Sequence, residues 1–94
     1  MPSAEKLLEE MRRKRDGYGP DDFEKVYTAH GFEKREGGNH TIYRHPDFPT
    51  IRASVGRHPV LTPGYAVDAV KNIDRLLELQ AQMLEPIAEA VANE

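Results

Sequence analysis

The residues best suited to chemistry in this sequence lie in one short stretch, residues 36–45, which reads EGGNHTIYRH. His40 follows a predicted Gly37-Gly38 turn and Asn39, and it begins a short run with strand character. An imidazole has an ordinary pKa of about 6.5, so it can take up and release a proton at neutral pH. The glycines allow a tight turn and a close approach of a ligand to the backbone, and Asn39 can hydrogen-bond a phosphate. His40 is therefore the candidate general acid or base, although a hairpin histidine without a catalytic role explains the same pattern.

Other kinds of active site have less support. The chain has no cysteine, which excludes disulfides, cysteine nucleophiles and thiolate zinc sites. His40 and His45 are five residues apart, so a straight strand would point them to opposite faces, and no acidic residue stands at a ligand-like spacing to them. Ser54 and Thr41 lack the glycine frame of a nucleophile elbow, and no stretch has the spacing of a phosphate-binding loop. The sequence predicts no metal site and no cofactor, which leaves acid–base chemistry.

The charge distribution favours an anionic ligand at the centre of the chain. The 94 residues carry a net charge of −3, but residues 31–58 carry five basic and three acidic side chains, a net charge of +2. RNA suits this inventory, because its own 2′-hydroxyl is the nucleophile and the protein has to supply only a base, an acid and cations. His58 is a possible second proton carrier. The candidate phosphate contacts, each equally explained as part of a solvated strand face, are Lys34, Arg35, Arg44, Arg52 and Arg57.

Three helices and three strands must position these residues. The predicted helices span residues 3–15, 21–30 and 62–85, and the predicted strands span residues 32–36, 40–45 and 50–55. Ser3 and the Thr62-Pro63 pair are helix-start signals, and Gly31 suits the C′ position after the second helix. Pro86 predicts an end or a kink of the last helix near Glu85, followed by a frayed helical tail.

Apolar periodicity predicts which faces are buried. The buried stripe of the last helix is predicted to contain Ala66, Val70, Ile73 and Leu77. The third strand alternates, with Ile51, Ala53 and Val55 on one face and Thr50, Arg52 and Ser54 on the other. The expected fold is an α+β two-layer sandwich with a three-stranded antiparallel sheet in αβββα order, plus an extra N-terminal helix and a long C-terminal helix. The expected single domain spans residues 1–94, with a core at about 21–80, an N-terminal helix and loop at 1–20 and a helical tail at 81–94.

These residues together resemble the HicA toxins of type II toxin–antitoxin systems. In that family a Gly-Phe follows the first helix, a Gly-Ser-His turn opens the second strand, a proline- or arginine-preceded histidine ends the third strand, and a Pro-Gly begins the last helix. The matching positions, within about residues 22–80, are Gly31-Phe32, Gly38-Asn39-His40, Arg57-His58 and Pro63-Gly64. Asn39 replaces the commoner serine, and the first helix and the residues after Leu79 extend beyond the minimal toxin.

The resemblance implies a double-stranded-RNA-binding-domain-like fold and a metal-independent mRNA endoribonuclease. It makes His40 the catalytic residue, supported by Gly38 and Asn39, and it implies a HicB-like antitoxin as partner. The extra segments at both ends suit dimerisation, antitoxin docking or additional core. The absence of a long apolar run and of an apolar signal core at the N-terminus predicts a cytoplasmic protein without membrane contact.

Two other functions are compatible with the same sequence. One is an RNA- or protein-binding module that does not turn over a substrate, since a fold does not fix a function. The other is a structural interaction domain whose long last helix pairs with a partner helix. RNA that is bound but left uncut would favour the first, and oligomers without a salt-dependent affinity for RNA would favour the second.

Overall fold

The computed structural model describes the backbone of residues 3–92 and the side chains of residues 3–83. The elements are α1 (Ala4–Arg13), α2 (Pro20–Ala29), β1 (Glu33–Gly37), β2 (His40–Arg44), β3 (Arg52–Gly56) and α3 (Pro63–Ala92). The strands form one antiparallel sheet in the order β1-β2-β3, with β2 in the centre. The helices cover one face of this sheet, which gives the predicted α+β fold with αβββα order after the first helix.

Local signals place the helix ends close to their predicted positions. Ser3 caps α1, because its side chain accepts a hydrogen bond from a backbone N–H of the first turn at 3.3 Å. Helix α2 begins at Pro20, one residue earlier than predicted, since proline fits the first helical position. The Asp22 carboxylate accepts a hydrogen bond from the Gly19 N–H at 3.0 Å and so closes this end. Gly31 follows α2 with φ +88°, which confirms the predicted C′ residue.

A single buried cluster joins all three helices to the sheet. In the sheet, Tyr43 and Val55 face the helices, while Arg44, Arg52 and Ser54 are exposed on the opposite side. The ring of Tyr27 in α2 stacks on Tyr43 with 4.9 Å between centroids, which holds α2 against the central strand. The contributions of the helices to the cluster are Leu7, Leu8 and Met11 from α1, Phe23, Val26 and Tyr27 from α2, and Ala66, Ala69, Ile73 and Leu76 from α3.

The long helix α3 differs from the prediction in two respects. Its buried stripe runs through Leu76, and Leu77, which was predicted to be buried, is 46% exposed. Ala66, Ile73 and Leu76 lie on one face of the helix, which packs on the core. Leu77 lies about 100° further around the helix axis than Leu76, so it points away from that face. The helix also continues to Ala92, so of the end or kink that Pro86 predicted near Glu85, the end is wrong, and the residues up to Ala92 are helical as the predicted tail was. The side chain of Pro86 and residues 93–94 of the predicted tail lie outside the described parts.

No helix within residues 3–92 combines the length and the apolar character that a membrane crossing requires. This holds for α3 as well, although it is the longest element, because charged residues recur along it.

Candidate active site

His40 opens the central strand on the face of the sheet that the helices leave uncovered. Its Cα pairs with Gly37 in β1 and with Gly56 in β3, and its side chain is exposed. It lines a surface cavity of about 500 Å³, here called the histidine cavity, together with Gly38, Asn39, Gly56, Arg57, His58 and Tyr65. The structure thus brings His40, its turn and His58 to one place, although His58 is 18 positions away in the chain.

The turn before His40 is built differently from the prediction. Gly37 is the last residue of β1 and pairs with His40, so the turn consists of Gly38 and Asn39 rather than Gly37 and Gly38. None of these residues has φ in the left-handed region, so the backbone freedom of glycine is not used here. A Cβ added at Gly38 would meet nothing within 4 Å. Gly38 therefore leaves open space beside the imidazole, where a ligand has access to the main chain.

Three of the candidate phosphate contacts lie on the same uncovered face as His40. Arg35 flanks Ile42 in β2, and Arg44 pairs with Arg52 in β3, so the three guanidinium groups surround Ile42. They line a second pocket of about 460 Å³, here called the arginine face, together with Glu33, Lys34 and Ile42. Within residues 3–83, none of the three arginines forms an ion pair with a carboxylate. Their charge is therefore available to an external anion.

The other two candidate cations are engaged within the protein. Lys34 points to the helix side of the sheet, where its Nζ lies 2.6 Å from Glu24 and 3.2 Å from Glu36. The hydrogen bond from Lys34 to Glu24, followed by the one to Glu36, raises the pKa of the Lys34 ammonium above its ordinary value. Arg57 lies 2.6 Å from Glu36. The five cations that the sequence grouped together are thus divided between two surfaces.

Arg57 also contacts the hairpin that carries His40. Its guanidinium donates to the backbone carbonyls of Gly37 at 3.4 Å and of His40 at 3.5 Å. Together with the ion pair to Glu36, these contacts tie the end of β3 to both sides of the β1–β2 turn. Arg57 is therefore held beside the hairpin by contacts within the protein.

The remaining histidines have structural roles. His45 is buried on the side of the sheet opposite His40, as the five-residue spacing predicted. Its Nδ1 accepts a hydrogen bond from the Asp47 N–H at 3.1 Å, and its ring packs edge-on against Phe32. The Nδ1 of His30 lies 2.7 Å from the carbonyl of Val26, at the end of α2. Within the described residues, no three histidine or acidic side chains come together in a way that could hold a metal ion.

Two residues of the histidine cavity were not found by sequence reasoning. Tyr65 follows Pro63-Gly64 in the first turn of α3, where an aromatic side chain reads as one more core residue. Gly56 ends β3 directly opposite His40. A Cβ at Gly56 would lie 3.1 Å from the Tyr65 hydroxyl and 3.4 Å from the Leu61 side chain, so this glycine makes room for both. No sequence signal marks that contact, which joins the end of β3 to the following loop at Leu61 and to α3 at Tyr65.

Comparison with models of protein families, with curated proteins and with solved structures finds no match to this chain. The chemistry of the histidine cavity and the free charge of the arginine face therefore carry the functional proposal.

Proposed function

We propose that this protein is a HicA-like toxin of a type II toxin–antitoxin system, an endoribonuclease that cleaves mRNA and thereby inhibits translation. The observation that carries the proposal is the placement of His40 and His58 in one open cavity at the hairpin end of the sheet. The uncovered face of that sheet presents three arginines that have no carboxylate partner within residues 3–83. Acid–base groups on a surface that also offers cations to the neighbouring phosphates suit the cleavage of RNA by its own 2′-hydroxyl. The ordered set of motifs that resembles the HicA family supports the same function.

The proposed reaction needs two proton transfers. A base removes the proton of the ribose 2′-hydroxyl, the 2′-oxygen forms a bond to phosphorus, and the bond from phosphorus to the 5′-oxygen breaks. An acid gives a proton to that leaving 5′-oxygen, so the products are a 2′,3′-cyclic phosphate and a 5′-hydroxyl. His40 is exposed and fills one of these roles, and His58, in the same cavity, is the candidate for the other.

The arginine face supports the binding of the substrate. Arg44 and Arg52 are neighbours across β2 and β3, four strand positions from the His40–Gly56 pair, or about 13 Å along the strand. An RNA strand with its scissile phosphate at His40 can therefore extend along β2 and place further phosphates on the guanidinium groups. Arginine suits this contact because its fork of N–H donors matches phosphate oxygens.

In the same proposal the partner is a HicB-like antitoxin, and the protein acts in the cytoplasm. The histidine cavity and the arginine face lie on one side of the molecule, which the protein's own helices leave open. A partner protein that covers this side would block both the chemistry and the binding of RNA.

The test is RNA cleavage by the purified protein, together with growth arrest when the chain is expressed in a bacterial host. We expect His40→Gln to lower the cleavage rate by about 10²–10⁴-fold and to abolish growth arrest, because the general acid or base is lost. His30→Gln is the matched control, since His30 lies outside the cavity. Thermal unfolding of each variant shows whether the fold persists.

Three outcomes separate the possible functions. Undiminished toxicity and cleavage by the His40→Gln variant would show that the assignment is wrong. Protein that retards RNA in a gel but leaves its length unchanged would be the binding module instead. Protein that neither binds nor cleaves RNA would be an interaction domain.

A further inference from the structure

Tyr65 places a hydroxyl group in the histidine cavity. The residue lies in the first turn of α3, and it lines the cavity together with His40 and His58. Its side chain is neither fully buried nor fully exposed. The hydroxyl makes no hydrogen bond within residues 3–83, whereas the hydroxyls of Tyr18 and Tyr27 bond to the Lys14 carbonyl and the Asn72 amide. Its capacity for hydrogen bonding is therefore unused within the described residues, at a residue that lines the cavity.

The position of this hydroxyl relative to His40 follows from the strand register. A Cβ built on Gly56 would lie 3.1 Å from the Tyr65 Oη. Gly56 pairs directly with His40, and the Cβ positions of such a pair are about 4.5–5.5 Å apart. The Tyr65 Oη is therefore at most about 9 Å from the His40 Cβ. The imidazole and one phosphate group fill a gap of this size.

Packing holds the ring of Tyr65 in place. It contacts the buried Phe23 of α2 edge-on, with 6.3 Å between the ring centroids and 61° between the planes. Its backbone N–H donates to the Thr62 carbonyl at 3.2 Å, which fixes the start of α3. A donor that is fixed before the substrate arrives does not have to reorganise when charge develops on the substrate.

On the basis of the proposed ribonuclease function, we propose that Tyr65 is a further catalytic residue, whose hydroxyl donates a hydrogen bond to a nonbridging oxygen of the scissile phosphodiester. Negative charge grows on that oxygen as the 2′-oxygen adds to phosphorus, so a donor aimed there stabilises the transition state more than the ground state. The Tyr65 proton stays on its oxygen throughout. The two histidines perform the proton transfers.

The first test is Tyr65→Phe, which keeps the ring against Phe23 and removes only the hydroxyl. The substrate is an RNA oligonucleotide of mixed sequence, in which the bond cut by the wild type is mapped first. We expect the single-turnover rate of the variant to fall by about 10²-fold, while its thermal unfolding stays close to that of the wild type. Tyr18→Phe is the matched control, because it removes a hydroxyl outside the cavity, and it should cleave at the wild-type rate.

The second test distinguishes direct contact from a structural effect. Sulfur replaces one nonbridging oxygen of the mapped phosphate, in each of the two diastereomers separately. Because sulfur is a weak hydrogen-bond acceptor, one diastereomer should slow the wild type strongly and slow Tyr65→Phe much less. An equal sulfur effect in both proteins for both diastereomers would overturn the proposal, even if the variant is slow.

The result for Tyr65 is separable from the result for the ribonuclease function. If Tyr65→Phe cleaves at the wild-type rate and His40→Gln is inactive, the Tyr65 proposal fails and the proposed function stands. If the wild type does not cleave RNA, both fail together.

Discussion

His40 and His45 show how little separates a candidate catalytic residue from a core residue. They are five positions apart, with His40 at the start of β2 and His45 directly after its end, and the alternation along the chain sends them to opposite sides of the sheet. His40 reaches the open cavity, while His45 is buried beside Phe32 and Phe48. The residue type predicts which chemistry is possible. Strand alternation then decides which of the two histidines is exposed to a substrate.

Two glycines that line the histidine cavity, Gly38 and Gly56, give a prediction about the free energy of unfolding. Gly56→Ala places a Cβ 3.1 Å from the Tyr65 hydroxyl, so we expect the free energy of unfolding to fall by about 1–3 kcal/mol through overpacking. Gly38→Ala is the control, because its Cβ would meet nothing within 4 Å, and its stability should stay within about 0.5 kcal/mol of the wild type. Urea unfolding measures both. Equal stability of the two variants would contradict the contact described at Gly56.

At the scale of elements, the sheet separates two kinds of positive charge. Alternation in β1 sends Lys34 toward α2, where Glu24 neutralises it, and sends Arg35 to the uncovered face. The pairing of β2 with β3 then adds Arg44 and Arg52 beside it. The arginine face therefore depends on the register of the sheet, and a one-residue slip of β2 would dismantle it.

This separation predicts the salt dependence of RNA binding. Arg44→Gln should weaken binding to single-stranded RNA and reduce the slope of log affinity against log salt by about 0.7, the amount expected for one lost phosphate contact. Lys34→Gln should leave that slope unchanged, because Lys34 is paired with carboxylates on the other side of the sheet. Binding is measured by fluorescence anisotropy with the His40→Gln protein, so that the RNA stays intact. Equal slopes for all three proteins would show that the arginine face does not contact RNA.

At the scale of the whole molecule, α1 belongs to the same core as the rest. Its buried residues Leu7, Leu8 and Met11 join the cluster formed by the sheet and the other helices. Arg12 at its end donates two hydrogen bonds to Asp74 in α3, at 2.5 and 2.9 Å. The segment that extends beyond the minimal HicA pattern thus has a packing role, which leaves the uncovered face of the sheet free.

The Arg12–Asp74 pair predicts how stability depends on pH. The hydrogen bonds from Arg12 hold the pKa of Asp74 below its ordinary value. A carboxylate with a lowered pKa in the folded state stabilises it above the unfolded pKa of about 3.9, and this contribution is lost as the pH falls through the folded pKa. Asp74→Asn should therefore reduce the free energy of unfolding by about 0.5–1 kcal/mol at pH 7 and by less at pH 3.

Urea unfolding at the two pH values tests this prediction. Glu78→Gln is a suitable control, because Glu78 lies on the same helix but its contact with Arg75 is longer, at 3.5 Å. A difference between Asp74→Asn and the wild type that does not shrink at pH 3 would rule out the charge of Asp74 as its source.

Features governed by neighbouring residues could be predicted from the sequence. The cap at Ser3, the left-handed Gly31 and the alternation of β3 each depend on contacts or dihedral angles within a few positions. The phase of α3 was wrong by one residue at Leu77, because both Leu76 and Leu77 are apolar and only the core decides which of them is covered. The possible end of α3 near Glu85 was wrong for a different reason, since a proline lowers the stability of a helix without always ending it.

The amino-acid sequence by itself predicted the elements, their order and His40 as the candidate for proton transfer. Only the tertiary structure decided that Lys34 and Arg57 are paired, that Arg35, Arg44 and Arg52 have no ion pair within residues 3–83, and that Tyr65 lines one cavity with His40 and Gly56. The physical reason is the range of the contacts. Helix caps and strand alternation are set within one turn or one pleat, whereas the neutralisation of a charge or the placement of a hydroxyl depends on residues that meet only when the sheet and α3 pack together.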